Sequence, residues 1–163
     1  MPDIRAAQAD DLPRLVEIYN HYVTTTHFTF DTEPHTVATR AAWLAQFDGG
    51  RHRCFVLLVD GRVEGYASSA QFKPKAAYAT SVEVSIYLAP GLTGRGHGPA
   101  LYERLFAALA GEDLHRAYAL IALPNEPSLK LHRAFGFVAA AHLREVGRKF
   151  GRYWDVVYLE KVL

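Results

Sequence analysis

Apolar residues recur along this chain with two different periods. Leu12, Leu15, Val16, Tyr19 and Tyr22 fall three or four apart, which predicts an amphipathic helix capped by Asp10 or Asp11. Thr36 is placed to cap a second helix carrying Val37, Trp43, Leu44 and Phe47 and ending at Gly49-Gly50. Between them, Thr24 to Phe30 is rich in β-branched residues and reads as a loop that carries aromatics. Ile4 to Ala6 predicts a short first strand. Cys54 to Val59 and the run from Arg62 are β-like, and Asp60-Gly61 between them predicts a hairpin. Thr80 to Leu88 predicts a long strand ended by Pro90-Gly91, after a turn-rich interruption at Phe72 to Ala77. Ala100 to Ala110 predicts a helix, Ala117 to Leu123 a buried strand, and Pro127 to Phe135 a short helix stopped by Gly136. Phe137 to Val146 and Tyr153 to Leu159 complete the pattern as strands. The order β-α-α-β-β-β-α-β-α-β-β predicts a mixed α/β sheet with crossover helices only in its middle.

Composition narrows the classes without choosing one. The chain has 163 residues, about one domain's worth, and residues 1–163 are expected to form one domain. Half of them are hydrophobic, which excludes a disordered chain. Eighteen Lys and Arg against seventeen Asp and Glu give a net charge of +1, which argues against nucleic acid as a partner. The apolar runs are strand-length, so no membrane association is expected. The start, Met1-Pro2-Asp3-Ile4-Arg5, lacks the features of a signal peptide, and the expected location is cytoplasmic. The single cysteine, Cys54, leads an apolar run and reads as a buried, inert thiol. The eight histidines show no zinc spacing, so no metal is expected.

The segment Leu88 to Leu101 carries the most information. It joins a strand to a helix and holds Gly94-Arg95-Gly96-His97-Gly98-Pro99. Glycines at every second position let backbone N–H groups converge, and the helix that follows adds its own free amides. Such a turn binds anions, usually phosphate, without adding formal charge, though it is also compatible with a turn that holds no ligand. A Walker A loop would need Gly-Lys-Ser or Gly-Lys-Thr, and a dinucleotide fingerprint would need a different glycine spacing in an early βαβ unit. The pyrophosphate of coenzyme A is the remaining common occupant.

Gly94-Arg95-Gly96-His97-Gly98 after a strand resembles the coenzyme A loop of the GNAT N-acetyltransferases, whose usual pattern is Arg/Gln-x-x-Gly-x-Gly/Ala. Gly96 and Gly98 match the two small positions; Thr93 departs from the arginine or glutamine of the first. Asn125-Glu126-Pro127-Ser128, followed by a helix ending in Phe135-Gly136-Phe137, is similar to the second half of the same superfamily. Ile18 to Val23, Phe28 to Asp31, Val82 to Tyr87, Leu131-His132 and Gly147 to Arg152 resemble its phosphinothricin acetyltransferase branch over nearly the whole chain. The resemblance implies a central, mostly antiparallel sheet splayed in the middle and flanked by helices. It also implies acetyl-CoA as co-substrate. The implied acceptor is the amine of phosphinothricin, methionine sulfoximine or a related amino acid. Two other functions are compatible with the residues: a non-catalytic acyl-CoA sensor, or a protein N-acetyltransferase.

Direct acetyl transfer needs a base for the ammonium, a partner for the carbonyl oxygen and a proton for the thiolate. Alternation puts Glu83, Ser85 and Tyr87 on one face of their strand and Val82, Val84 and Ile86 on the other. A carboxylate on a partly desolvated face has a raised pKa, which suits a base, and the family position agrees. The resemblance makes His132, seven residues after Asn125, a candidate acid or base. It places the backbone of Ile86, Tyr87 and Leu88, the loop from Gly94 through Pro99, and Asn125 and Ser128 against coenzyme A. A break or bulge in the strand would expose amides to the thioester. Phe28, Phe30, Lys75, Ala76, Ala77, Tyr78, Lys149 and Phe150 are the candidate acceptor contacts. Lysine at position 75 keeps the charge of the arginine found in many relatives but not its fork. Trp43 reads as core and Trp154 as core or a dimer contact. The apolar last strands, in a branch where dimers are common, imply a homodimer.

Overall fold

A short strand and two helices open the chain. The structure, a computed structural model, describes residues 2–163. β1 (Asp3–Ala6) runs into a single 3-10 turn, Ala9–Asp11, and then α1 (Leu12–Thr25). The buried Asp11 carboxylate holds this corner by accepting from Arg5 at 2.7 and 2.8 Å and from the Gln8 amide at 2.8 Å. α2 (Val37–Ala45) begins at Thr36, whose hydroxyl accepts from the Thr39 amide as expected of its cap. β2 (Arg53–Val59), β3 (Arg62–Gln71) and β4 (Ser81–Leu88) follow, then α3 (His97–Leu109), β5 (Arg116–Ala122) and α4 (Glu126–Ala134). β6 (Val138–Lys149) and β7 (Arg152–Val162) end the chain.

The element order is the predicted one, and the differences lie at boundaries. α3 starts three residues early, because Gly96 takes the left-handed conformation, φ +82°, and serves as its cap. Thr24 and Thr25 belong to α1 despite their branching, since their hydroxyls bond back to the Asn20 and His21 carbonyls. β6 reaches past Val146 to Lys149, beside a tight turn at Phe150-Gly151, both at positive φ, and β7 runs on past Leu159 to Val162.

The seven strands are ordered β1-β2-β3-β4-β5-β7-β6. Every neighbouring pair is antiparallel except β4 and β5. That parallel pair holds register only from Ser81↔Arg116 to Glu83↔Tyr118, and the strands then part. β4 itself carries no bulge against β3, which pairs with it from Gln71↔Val82 to Gly65↔Leu88. The opening in the sheet therefore comes from divergence of β5, not from a break within β4.

Each face of the sheet has its own core. One joins α3 through Leu101, Tyr102, Leu105 and Leu109 to Phe55, Val82, Val84, Ala119 and Leu159. The other joins α1 through Leu15 and Ile18 to Cys54, Val56 and Tyr66, with Trp43, Phe47 and Tyr87 packed around them. Trp43 is thus peripheral core, and Cys54 is buried, its thiol pushed up to about 12 by loss of solvent. No helix among the described residues is long and apolar enough to cross a membrane.

Candidate active site

Glu83 stands at the point where the sheet opens. Its rung with Tyr118 is the last that joins β4 to β5. Alternation turns Glu83, Ser85 and Tyr87 to the α1/α2 side, as expected, while Val82 and Val84 enter the opposite core. With Tyr19, Phe28, Thr29, Phe30, Arg40, Trp43, Gln46, Tyr66, Ser68, Leu120 and Val156, the three line a cavity of about 370 Å³. That volume suits one small molecule. Glu83 makes no ion pair and no side-chain hydrogen bond among the described residues, and burial alone raises its pKa. A carboxyl group so placed has a free face, a raised proton affinity and room beside it for an amine.

The donor side lies across the gap. Ala89 N–H donates to the Glu64 carbonyl of β3 at 2.8 Å, so the odd-numbered residues of β4 turn their backbone to β3. The backbone groups of Val84, Ile86 and Leu88 therefore face the gap that β5 leaves. Tyr87, between them, pairs with Tyr66, so of the three predicted backbone contacts only Ile86 and Leu88 border the gap. The Leu88 carbonyl accepts from the Tyr22 hydroxyl, which leaves its amide for a ligand.

At the end of β4 the loop Gly94-Arg95-Gly96 is exposed, and Gly98 is buried where α3 starts. A Cβ on Gly98 would touch Leu131 of α4 at 3.4 Å and Ile86 of β4 at 3.8 Å, so α3, α4 and β4 converge at this residue. The amides of Gly96, His97 and Gly98 donate to no backbone carbonyl among the described residues. Pro99, in the first turn, has no amide to satisfy. This cluster of free donors at a helix N-terminus fits the pyrophosphate of coenzyme A, and the gap-facing β4 amides fit its amide-bearing arm. Arg95 is exposed and free to add charge. Asn125 caps α4 by accepting from the Ser128 amide at 3.4 Å, which uses its oxygen and leaves its NH₂ group available.

The other predicted residues are distributed differently. His132 lies 3% exposed in the α3/α4 layer, outside the cavity that Glu83 lines. Its Nδ1 donates to the Ser128 carbonyl at 2.7 Å. Its Nε2 therefore accepts from the Tyr102 hydroxyl, also at 2.7 Å. Burial lowers its pKa, so the ring is held neutral. Phe28 and Phe30 do line the cavity. Lys75, Ala76, Ala77 and Tyr78 form an exposed turn before β4, outside that cavity. Lys149 is buried, and its ammonium donates to the Thr29 carbonyl at 2.8 Å. Phe150 projects at the tip of the β6–β7 turn, 58% exposed. Trp154 is core: it stacks on His27 at 4.0 Å and donates to the Lys149 carbonyl.

Sequence reasoning missed Tyr66, Ser68 and Arg40. The first two alternate along β3 on the same sheet face as Glu83, Ser85 and Tyr87, a signal available once the two strands are paired. Arg40 precedes Trp43 and Phe47 at helical spacing, one charge at the end of an apolar stripe. A second cavity, about 390 Å³, lies between α4, β5 and β7 and is lined mostly by Leu123, Leu129, Phe137, Val157 and Leu159. It holds no acid or base that could serve a proton transfer.

Comparison with known proteins agrees with this geometry. Residues 4–158 match the family described as the acetyltransferase (GNAT) domain. A phosphinothricin N-acetyltransferase of Streptomyces coelicolor is 52% identical, over 98% of this chain and 95% of that protein. An L-methionine sulfoximine/L-methionine sulfone acetyltransferase of Pseudomonas paraeruginosa is 34% identical, over 96% and 92%. The crystal structure of a phosphinothricin acetyltransferase from Sinorhizobium meliloti in complex with acetyl-CoA superposes with a TM-score of 0.94 at 32% identity, covering 99% of this chain and 88% of that one. With a splayed sheet, a glycine-rich loop at the mouth of α3 and matches that span nearly its whole length, the chain belongs to the GNAT acetyltransferase family.

Proposed function

We propose that the protein transfers the acetyl group of acetyl-CoA directly to the amine of a small amino acid of the phosphinothricin and methionine sulfoximine class, with Glu83 as the base. The observation that carries this reading is the unpaired, desolvated Glu83 carboxylate, set at the vertex of the splay in a cavity sized for one small molecule. The names of the similar enzymes support the acceptor class.

Acetyl-CoA supplies the acyl thioester. The free amides of Gly96, His97 and Gly98 bind its phosphates, and the amides of Ile86 and Leu88 align the arm that leads to the gap. The acceptor enters from the α1/α2 side, between Phe28, Phe30 and Tyr87. Glu83 takes the ammonium proton, directly or through a water, so that the amine attacks the thioester carbonyl with its lone pair free. The C–S bond breaks as the C–N bond forms, the nitrogen gives up its surplus proton, and coenzyme A leaves as a thiolate that takes up a proton to become the free thiol. His132 acts as a positioning residue: it ties Tyr102 of α3 to Ser128 of α4 and so keeps closed the corner on which Gly98 and Leu131 meet. The reading places the enzyme in the cytoplasm. It also makes it a homodimer through the edge strand β6, where Val138 and Val146 stand 60% and 53% exposed.

Release of coenzyme A thiol from acetyl-CoA tests the reading. Phosphinothricin, methionine sulfoximine and methionine sulfone are expected to support turnover well above that with ordinary amino acids. Turnover only with peptide N-termini, or with no amine at all, overturns it.

A further inference from the structure

The cavity has a second polar end. Tyr66 is 1% exposed, lines the cavity, and its hydroxyl is a buried side-chain polar atom that finds no hydrogen-bond partner in the fold. A buried hydroxyl left in that state is costly unless a ligand completes it. Arg40 lines the same cavity. Its guanidinium carbon lies over two rings, 4.2 Å from the centre of Tyr19 and 4.1 Å from that of Trp43. Contact with the ring faces holds the charge in place but accepts none of its N–H donors as a conventional hydrogen bond would. Among the described residues Arg40 makes no ion pair. Asp31, the acid that feels its charge, instead accepts from the Tyr19 hydroxyl and bonds His35 at 3.0 Å. Two kinds of donor, both without acceptors, therefore line one cavity. They call for a ligand group made of oxygen atoms that only accept.

The sheet register sets which end of the acceptor that group occupies. Tyr66 pairs with Tyr87 and Ala70 pairs with Glu83, so the two polar residues stand four rungs apart, about 13 Å along the strands. An α-amino acid carries its amine and carboxylate on one carbon, so a carboxylate stays beside the amine near Glu83. Oxygen on the sulfur or phosphorus that is the third atom of the side chain points away from the amine, toward the other end. Resting on the N-acetyltransferase reading above, we propose that Arg40 and the Tyr66 hydroxyl form the receptor for the oxidised tip of the acceptor side chain, a sulfone, sulfoximine or phosphinate oxygen. They would thereby set the preference for such amino acids over their thioether counterparts.

The test uses three acceptors with the full chain: methionine sulfone, methionine, and the carboxamide of methionine sulfone. The native enzyme is expected to prefer the sulfone to methionine in kcat/KM. In Arg40→Gln that preference falls about 10- to 100-fold, the scale of a lost charge-assisted hydrogen bond. The preference for acid over carboxamide stays, and the KM for acetyl-CoA is unchanged. Tyr66→Phe lowers the same preference about three- to tenfold while its melting temperature is unchanged or higher, because the hydroxyl has no partner in the fold to lose. Arg40→Lys restores part of the loss and separates charge from packing. Equal loss on all three acceptors, or loss of the acid-over-carboxamide preference in place of the sulfone preference, overturns the assignment of the tip while leaving acetyl transfer standing. A native protein that acetylates none of the three overturns both.

Discussion

Two acid–base groups sit on opposite sides of the central sheet, and the fold treats them in opposite ways. Glu83 faces a cavity, has no partner, and is pushed toward its protonated form by burial alone. His132 is enclosed by Tyr102 and Phe137, donates to one partner, accepts from another, and is pushed toward its neutral form. Burial raises the proton affinity of an acid and lowers that of a base, so one physical cause moves them in opposite directions. The difference is the free face: Glu83 has lone pairs without a partner, whereas both nitrogens of His132 are hydrogen-bonded, and the proposal of Glu83 as the base rests on that difference.

The largest effect should come from removing the free carboxylate. Glu83→Gln keeps the shape and is expected to lower kcat by about 10²- to 10⁴-fold, the usual worth of a positioned base. The KM for acetyl-CoA should stay near its native value. In the native enzyme the acid limb of kcat/KM against pH should fall above the ordinary glutamate value of about 4.3, and the variant should lose that limb. A variant that keeps its rate would place the base elsewhere and end the contrast with His132.

Truncating the enclosed group should act first on stability. His132→Ala strands the Tyr102 hydroxyl and opens a void, a loss of about 3 kcal/mol measured by denaturant unfolding. In the folded variant kcat should fall far less than in Glu83→Gln. An equal fall would promote His132 to the chemistry. The two groups should also bend stability against pH in opposite senses. Glu83 holds its proton more tightly folded than unfolded, so its contribution falls as pH rises from about 4.3 through its raised folded value. His132 holds its proton less tightly when folded, so its contribution falls as pH drops from about 6.5 through its lowered folded value. Urea midpoints of the two variants between pH 4 and pH 8, compared with the native chain, should each lose one of these slopes.

The contrast also marks how far sequence carries. Periodicity located all eleven helices and strands, and alternation put Glu83 on the correct face, because strand pleat is a local property. The glycine loop was legible for the same reason, since the motif is continuous in the chain. The enclosure of His132 was not, because its partner Tyr102 lies thirty residues away and only tertiary packing joins them. Lys149 reads in the sequence as a candidate acceptor contact, yet its ammonium is buried and donates to the Thr29 carbonyl across 120 residues of sequence. Arg40 and Tyr66 went unnoticed since neither belongs to a motif. They become visible only when β3 is set beside β4 and α2 is laid across them.

Smaller effects separate the acceptor side from the donor side. Gly147 of β6 lies against Phe30, and a Cβ there would fall 2.1 Å from its ring. Gly147→Ala must therefore push Phe30, only 37% exposed, off the cavity wall, at a cost of about 1–3 kcal/mol. The KM for the acceptor should rise severalfold and the KM for acetyl-CoA should not. Gly96→Ala is the converse. An added Cβ at Gly96 meets no atom within 4 Å, so the variant suffers no clash. Its cost is the left-handed conformation, φ +82°, worth about 1–2 kcal/mol for an L residue. Relief of that strain would turn the amides of Gly96 and His97 away from the phosphates. The KM for acetyl-CoA should then rise severalfold at constant acceptor KM, measured by thiol release with each substrate varied in turn. If both constants rose together in either variant, the two sides of the splay would be one coupled site, and the separation of donor from acceptor by the sheet would fail.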